Sequence, residues 1–290
     1  MVMEKENRKH KDSLFVDLFY EDETAKKNLL SLYNALHDTE YQDEEMIHKV
    51  KVSDVLYKNF KNDISFEMGG KVLVFGEHQS TVNPNIPLRC LLYVGRAYEQ
   101  LVDKKARYRT TLVKIPTPEF YTFYNGKEDF PLEQELSLSD AYENPAGENS
   151  AELKVKVINI NSDKAHKILD KCGILREYSQ FIDTVRKYSG EEDSIKKAIN
   201  ACINQGILAD YLKRKGSEVT NMLIAEYSYE EDIQVKQQEA MQQGMQNGMI
   251  LSGKIFQAVK KNPDFTDSQI AEAVGCEVGQ VKSVRKMFGI

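Results

Sequence analysis

The chain has 290 residues, 41% of them hydrophobic, and a formal net charge of -6 at pH 7. That length accommodates one large or two modest domains with a real core, and the negative charge argues against a histone-like or repressor-like DNA binder. No apolar run approaches the roughly 18 residues of a membrane helix, and the polar start Met1-Val2-Met3-Glu4-Lys5 lacks the apolar centre of a signal peptide. Cys90, Cys172, Cys202 and Cys276 form no C-x-x-C pair, so they read as buried thiols in a reducing, cytoplasmic setting.

Helical spacing of Leu14, Phe15, Leu18 and Phe19, then of Leu29, Leu30, Leu32 and Leu36, predicts helix over about 11–36. Strands are expected near 54–57, 63–68 and 71–78, the last two joined by the Gly69-Gly70 turn. Pro87 suits the first turn of a helix running to about 102. Further strands fit 109–115 and 120–124, an Asn125-Gly126 turn follows, and 153–160 forms one more alternating strand after a loop rich in Asn, Pro and Gly. From Ser162 onward the spacing is helical, over about 163–187, 191–213, 217–249, 251–260, 267–274 and 278–288. The expected fold class is α/β, a mixed-sheet core at 1–161 followed by an all-helical half. That half divides into a helical domain at 162–249, interrupted by the glycines of Gln243-Gly244-Met245-Gln246-Asn247-Gly248, and a small tail at 250–290. The tail has helix-turn-helix spacing, with Lys282, Arg285 and Lys286 on its second helix; a small packing or dimerising helical pair is the alternative.

The stretch from Asp63 to Gln79 carries the most chemistry. Glu77 and Gln79 interrupt a run that should be buried, and in a regular strand their i, i+2 spacing puts them on one face. Carboxylates at the end of a buried strand are costly unless a cation compensates them, and divalent cations commonly do so. Hairpin register bears on this directly. A two-residue turn at Gly69-Gly70 aligns Asp63 with Gly76, whereas a longer loop or a bulge aligns Asp63 with Glu77 on one face, as shared metal binding requires unless the strand ends splay. Glu67 shares the Asp63 face and reads either as a distal acid or as a solvated carboxylate. Beyond the hairpin, residues 86–114 hold seven basic side chains against two acidic ones, whereas 216–241 hold six acidic against one basic. Arg89, Tyr93 and Arg96 fall on one helical stripe suited to phosphate contact or to support of the carboxylates, with ordinary surface pairing as the alternative.

An acid before a hairpin and Glu-x-Lys at its end resembles the PD-(D/E)xK nucleases, with Gln79 standing where that pattern has Lys. The ordered set extends the resemblance to the Rpn family of recombination-promoting nucleases, described also as transposases of that superfamily. It comprises His10-Lys11-Asp12, Asp63-Ile64, Glu77-His78-Gln79-Ser80, Pro87-Leu88-Arg89 with Tyr93, Tyr124-Asn125-Gly126, Leu138-Ser139-Asp140, Val157-Ile158-Asn159-Ile160-Asn161 and Glu218-Val219 with Met222-Leu223 and Glu226-Tyr227. The resemblance implies a restriction-endonuclease-like core and a Mg²⁺-dependent DNA endonuclease tied to recombination and, in some members, phage defence. Asp63, Glu77 and Gln79 are then the catalytic set, and Asp63, Glu77 and the His78 carbonyl the ligands for Mg²⁺, with Mn²⁺ or Ca²⁺ as substitutes. Arg89, Tyr93 and Arg96 are the DNA contacts. DNA is the expected partner, no membrane is expected, and a homodimer is the assembly considered. The competing reading is a catalytically weak or inactive DNA-binding regulator that keeps the nuclease fold, because Gln79 brings no positive charge. The helical half is expected to regulate or assemble the core rather than perform chemistry; its acidic stretch either competes with DNA for the basic one or forms a solvated helix with no contact to the core.

Overall fold

The computed structural model describes residues 14–50, 64–79 and 83–289, with the backbone alone for 72–79, 226–237 and 239. Asp63 and the expected strand at 54–57 lie outside the described residues. The described residues form two compact units, the first ending at Glu226 and the second beginning at Tyr227.

The first unit is built on a six-stranded mixed sheet, β1 (His48–Lys49), β2 (Ile64–Met68), β3 (Lys71–Gln79), β4 (Thr117–Tyr124), β5 (Glu133–Ser137) and β6 (Lys154–Asn159), in the order β1-β2-β3-β4-β6-β5. The β2–β3 hairpin closes through Gly69 and Gly70, whose φ of 59° and 78° give the left-handed pair that a tight two-residue turn needs. Met68 pairs with Lys71 and Ile64 with Phe75, so the hairpin follows the two-residue register. Glu67, expected as a distal or solvated acid, accepts from the Gly70 backbone N–H at 3.2 Å and braces the turn.

β3, β4 and β6 run parallel, and α3 (Ile86–Leu101) makes the crossover from β3 to β4 with Pro87 in its first turn, as expected. Its inner face, Ile86, Cys90, Tyr93, Val94 and Ala97, packs with Phe120, Leu138, Leu153 and Val155. Phe15 lies among Phe19, Phe123 and Tyr178 at ring separations of 4.6 to 5.8 Å. The expected N-terminal helix is divided into α1 (Leu14–Val16), a π-turn at Asp17–Glu21, and α2 (Ala25–His37). Asp22 makes that break, its carboxylate accepting from the Thr24 backbone N–H and hydroxyl at 3.0 and 2.7 Å.

Two strand expectations change. The segment 109–115 is an exposed connection and not a strand, because both sides of β4 are already taken by β3 and β6. β5 was not expected, since Glu133-Gln134-Glu135 shows no apolar alternation; as an edge strand it exposes all three.

The helices that follow are α4 (Lys167–Lys171), α5 (Gly173–Lys187), α6 (Ser194–Gln205) and α7 (Ala209–Lys261). The helix expected over 191–213 is interrupted after Gln205, where Gly206 and Leu208 adopt φ of 77° and 47°. The glycine-interrupted segment is helical throughout, part of a 53-residue α7 whose backbone leaves helical values only at Lys215.

The second unit contains the end of α7 with α8 (Asp267–Val274) and α9 (Val278–Phe288), whose bounds agree with the sequence. Ile255, Val259, Ile270, Ala271, Val281 and Val284 form its core. Thr266 and Gln269 cap α8 reciprocally, and Gly275 at φ 75° ends it. The three-residue link Gly275-Cys276-Glu277 gives the helix-turn-helix spacing. No helix is long and apolar enough to cross a membrane among the described residues.

Candidate active site

Parallel pairing brings the carboxyl ends of β3, β4 and β6 to one edge of the sheet, the position where open α/β sheets hold ligands. Gly76 partners Thr122 and Gln79 partners Tyr124, three steps on β3 against two on β4, so a bulge lies at Glu77-His78. Bulges re-aim side chains at strand ends and cluster at active sites. The bulge also interrupts the regular alternation assumed for Glu77 and Gln79. The two-residue hairpin turn aligns the strands so that Asp63, if β2 continued regularly, would face Gly76 and not Glu77. Joint binding of a cation by Asp63 and Glu77 therefore calls on the irregular end of β3 or on splayed strand ends.

Beside this end sits a buried amide cluster. Asn125 directly follows β4 and is wholly buried, yet neither its Oδ1 nor its Nδ2 has a hydrogen-bond partner among the described residues. Its backbone carbonyl accepts from Arg186 of α5, whose guanidinium also donates to Asn161 Oδ1 at 3.3 Å and lies 3.5 Å from Asp183. Asn161 Nδ2 donates to the Gly126 carbonyl and to Asn159 Oδ1, both at 3.0 Å, and Asn159 Nδ2 donates to the Phe130 carbonyl at 2.9 Å. Tyr124 packs against Phe130 with ring centroids 4.5 Å apart and tilted by 36°, and it donates to the Glu128 carbonyl at 3.0 Å. These bonds hold the two Asn-bearing strand ends in one geometry, and they leave the Asn125 amide as buried hydrogen-bonding capacity without a partner among the described residues.

The stripe on α3 divides by depth. Tyr93 is buried in the core, Arg89 is half-buried, and Arg96 is exposed with its Nη1 2.7 Å from Glu99. Tyr93, expected as a DNA contact, thus packs within the core beneath the surface of α3. Exposed cations with no carboxylate within ion-pair distance among the described residues stand instead on the segment after α3, at Lys104, Lys105, Arg109 and Lys114. The side chains of Glu77, His78, Gln79 and much of the acidic stretch lie outside the description. No His, Cys, Asp or Glu cluster able to hold a metal is present among the described residues.

At the opposite edge of the sheet, Glu119 accepts from Lys71 Nζ and hydrogen-bonds His37 Nε2, both at 2.6 Å. Burial opposes its charge, but these partners hold its carboxyl below the usual range. His166 accepts the Ile168 backbone N–H on Nδ1 at 3.1 Å, so its Nε2 carries the hydrogen that meets Glu133 at 2.8 Å. Lys156 first, and then His166 against the cost of burial, lowers the Glu133 pKa.

Sequence reasoning missed the Asn125–Asn161–Arg186 cluster as a unit. Its asparagines sit in motifs already noted, but Arg186 belongs to a distant helix and carries no local signal. Comparison with curated proteins gives no match, and comparison with solved structures gives none. The family model described as "Putative transposase, YhgA-like" matches residues 9–171, more than half of the chain. Its span runs from before α1 to the end of α4, covering every strand of the sheet and the bulged end of β3. The chain thus belongs to the YhgA-like transposase family.

Proposed function

We propose that the protein is a metal-dependent DNA endonuclease of the recombination-promoting type, hydrolysing phosphodiester bonds at the carboxyl edge of the sheet. The observation that supports this most is the bulged end of β3, which carries Glu77, His78 and Gln79 beside the ends of β4 and β6. Two carboxylates and a backbone carbonyl are hard oxygen donors, the chemistry Mg²⁺ prefers, so Asp63, Glu77 and the His78 carbonyl suit that ion, with Mn²⁺ or Ca²⁺ as substitutes. A bound Mg²⁺ supplies the positive charge that makes a water acidic and stabilises the leaving oxygen. Gln79, neutral where related nucleases carry Lys, orients the attacking water by hydrogen bonding and adds no charge to the phosphate. Arg89 and Arg96 hold the flanking phosphates, with Tyr93 on the same stripe buried in the core beneath them. Gln79 also favours the second reading, a DNA-binding regulator with weak or no catalysis.

Nicking of supercoiled plasmid with Mg²⁺, with EDTA as control, tests the proposal. Asp63→Ala or Glu77→Ala is expected to lower the rate at least a hundredfold while leaving the unfolding midpoint unchanged or raised. Removing one of two mutually repelling carboxylates does not destabilise a metal-free site. Equal rates in wild type and both variants would move the activity elsewhere.

A further inference from the structure

The segment between α3 and β4 holds what the nuclease reading has not used. Lys104, Lys105, Arg107, Arg109 and Lys114 are exposed within eleven positions, and none is within ion-pair distance of a carboxylate among the described residues. Tyr108 and Leu112 stand among them with 90% and 83% of their surface in solvent, the two most exposed large apolar side chains described. The segment is nonetheless built and anchored. The Asp103 carboxylate accepts from the Lys105 and Ala106 backbone N–H groups at 2.9 and 3.0 Å, starting a 3-10 turn at Ala106–Tyr108. Arg107 donates to the Glu99 carbonyl at 3.0 Å, and Tyr98 donates to the Pro116 carbonyl at 2.6 Å. Tyr108 is thus held out into water by a folded turn. Beside it, Glu99, Lys104, Arg107 and Tyr108 line an open cavity of about 310 Å³.

We infer that this segment is a binding site for single-stranded DNA, with Tyr108 stacking on an unpaired base and Lys104, Lys105, Arg109 and Lys114 holding the adjoining phosphates. The inference rests on the nuclease reading and extends it to the substrate. Cations alone suit any polyanion; an exposed aromatic face among them suits a base that is not already stacked. An anionic membrane is the less fitting partner, because interfacial binding needs a broad apolar face, whereas the exposed Tyr108, Leu112 and Ile115 stand interspersed among five cations. The cavity adds a place for the base edge, with the Glu99 carboxylate as acceptor and Lys104 and Arg107 as donors. Sixteen residues of α3, roughly 24 Å of helix, separate the segment from the carboxyl edge of the sheet. A strand that runs at least this length is needed to touch both. The site therefore favours DNA with an unpaired stretch, such as a flap, gap or melted junction.

The test is anisotropy with the full-length chain in EDTA, so that cleavage does not intrude. The probes are fluorescein-labelled 20-mer oligo(dT), a mixed-sequence hairpin duplex, and vesicles containing phosphatidylserine. Tyr108→Ala is expected to weaken oligo(dT) binding about five- to a hundredfold with an unchanged salt slope, and Tyr108→Phe to retain it. Replacing Lys104, Lys105, Arg109 and Lys114 together with Gln should reduce the log–log salt slope by about 3, near 0.7 per cation. Unchanged affinity in both variants overturns the inference. So does equal weakening of duplex and single strand by Tyr108→Ala, or loss of vesicle binding with DNA binding intact. Because binding is read without metal, a chain that binds oligo(dT) through Tyr108 but never nicks plasmid keeps this inference while the nuclease reading fails.

Discussion

Two groups of cations in the first unit receive opposite treatment. Arg214 and Lys215, at the start of α7, meet the carboxylates of the divided N-terminal helix. Arg214 makes a two-pronged contact with Asp22 at 3.1 and 3.2 Å, and Lys215 lies 2.9 Å from Asp17 and 3.3 Å from Asp22. Tyr211 donates to Asp17 at 2.5 Å. The Asp22 side chain is fully buried, and every charge around it is answered. Lys104, Lys105, Arg109 and Lys114 have no such answer among the described residues and are exposed. A cation matched to a buried carboxylate holds the fold, and removing its partner is costly; one left unmatched in solvent contributes little to stability and is free for a ligand.

The largest effect that would sharpen this contrast is at the clamp. Asp22→Asn leaves Arg214 and Lys215 short of a partner and is expected to lower unfolding free energy by about 2–3 kcal/mol, below the fully buried case because Arg214 is 37% exposed. Urea unfolding measures it, and a loss under 0.5 kcal/mol would reduce the clamp to surface decoration.

Acid provides a second, graded test. Burial works against the Asp22 charge, yet hydrogen bonds from Arg214, Thr24 and Lys215 hold its carboxyl well below the usual range. A lowered folded value means that the stabilisation is complete above the unfolded carboxylate pKa, about 4, and is lost as pH falls from there. Asp22→Asn should accordingly flatten the fall in stability below about pH 4, with Glu119 and Glu133 supplying the remaining slope of the same sign. A parallel fall in both proteins would assign acid lability elsewhere.

The smallest change is expected at the other group. The fourfold Gln variant of Lys104, Lys105, Arg109 and Lys114 should alter unfolding free energy by less than about 0.5 kcal/mol. A loss above 1.5 kcal/mol would make the segment structural and erase the contrast.

Elements were legible where local chemistry sets them. Pro87 opens α3, Gly69-Gly70 closes the hairpin, and the caps of α8 and the Gly275 turn fix the tail. Elements decided by partners were not. Segment 109–115 has the composition of a strand but no free strand to join, and β5 becomes a strand only because β6 offers an edge. At the candidate site, the position of Glu77-His78-Gln79 at a strand end followed from the sequence, whereas the bulge did not, being a mismatch between β3 and a strand more than forty residues on. The asparagine cluster was hidden for a related reason, since two strand-end motifs far apart in sequence meet through the Asn161–Gly126 bond and through Arg186 of a distant helix.

The crossover between β3 and β4 also orders events in time. The β2–β3 hairpin joins neighbours in sequence through a turn whose two glycines are already suited to it, and such contacts form in microseconds. Gly76 meets Thr122 only after α3 and the cation-bearing segment have been laid down between them, a closure that is slower because more chain must be gathered first. The β3 side of the candidate site is in this way shaped before the β4 side arrives, and the bulge forms at the seam where the late strand docks. In pulse-labelled hydrogen exchange the amides of Phe66 and Leu73 should be protected ahead of those of Phe120 and Thr122. Simultaneous protection would mean that the sheet condenses as a single event, with no early hairpin for the late strands to join.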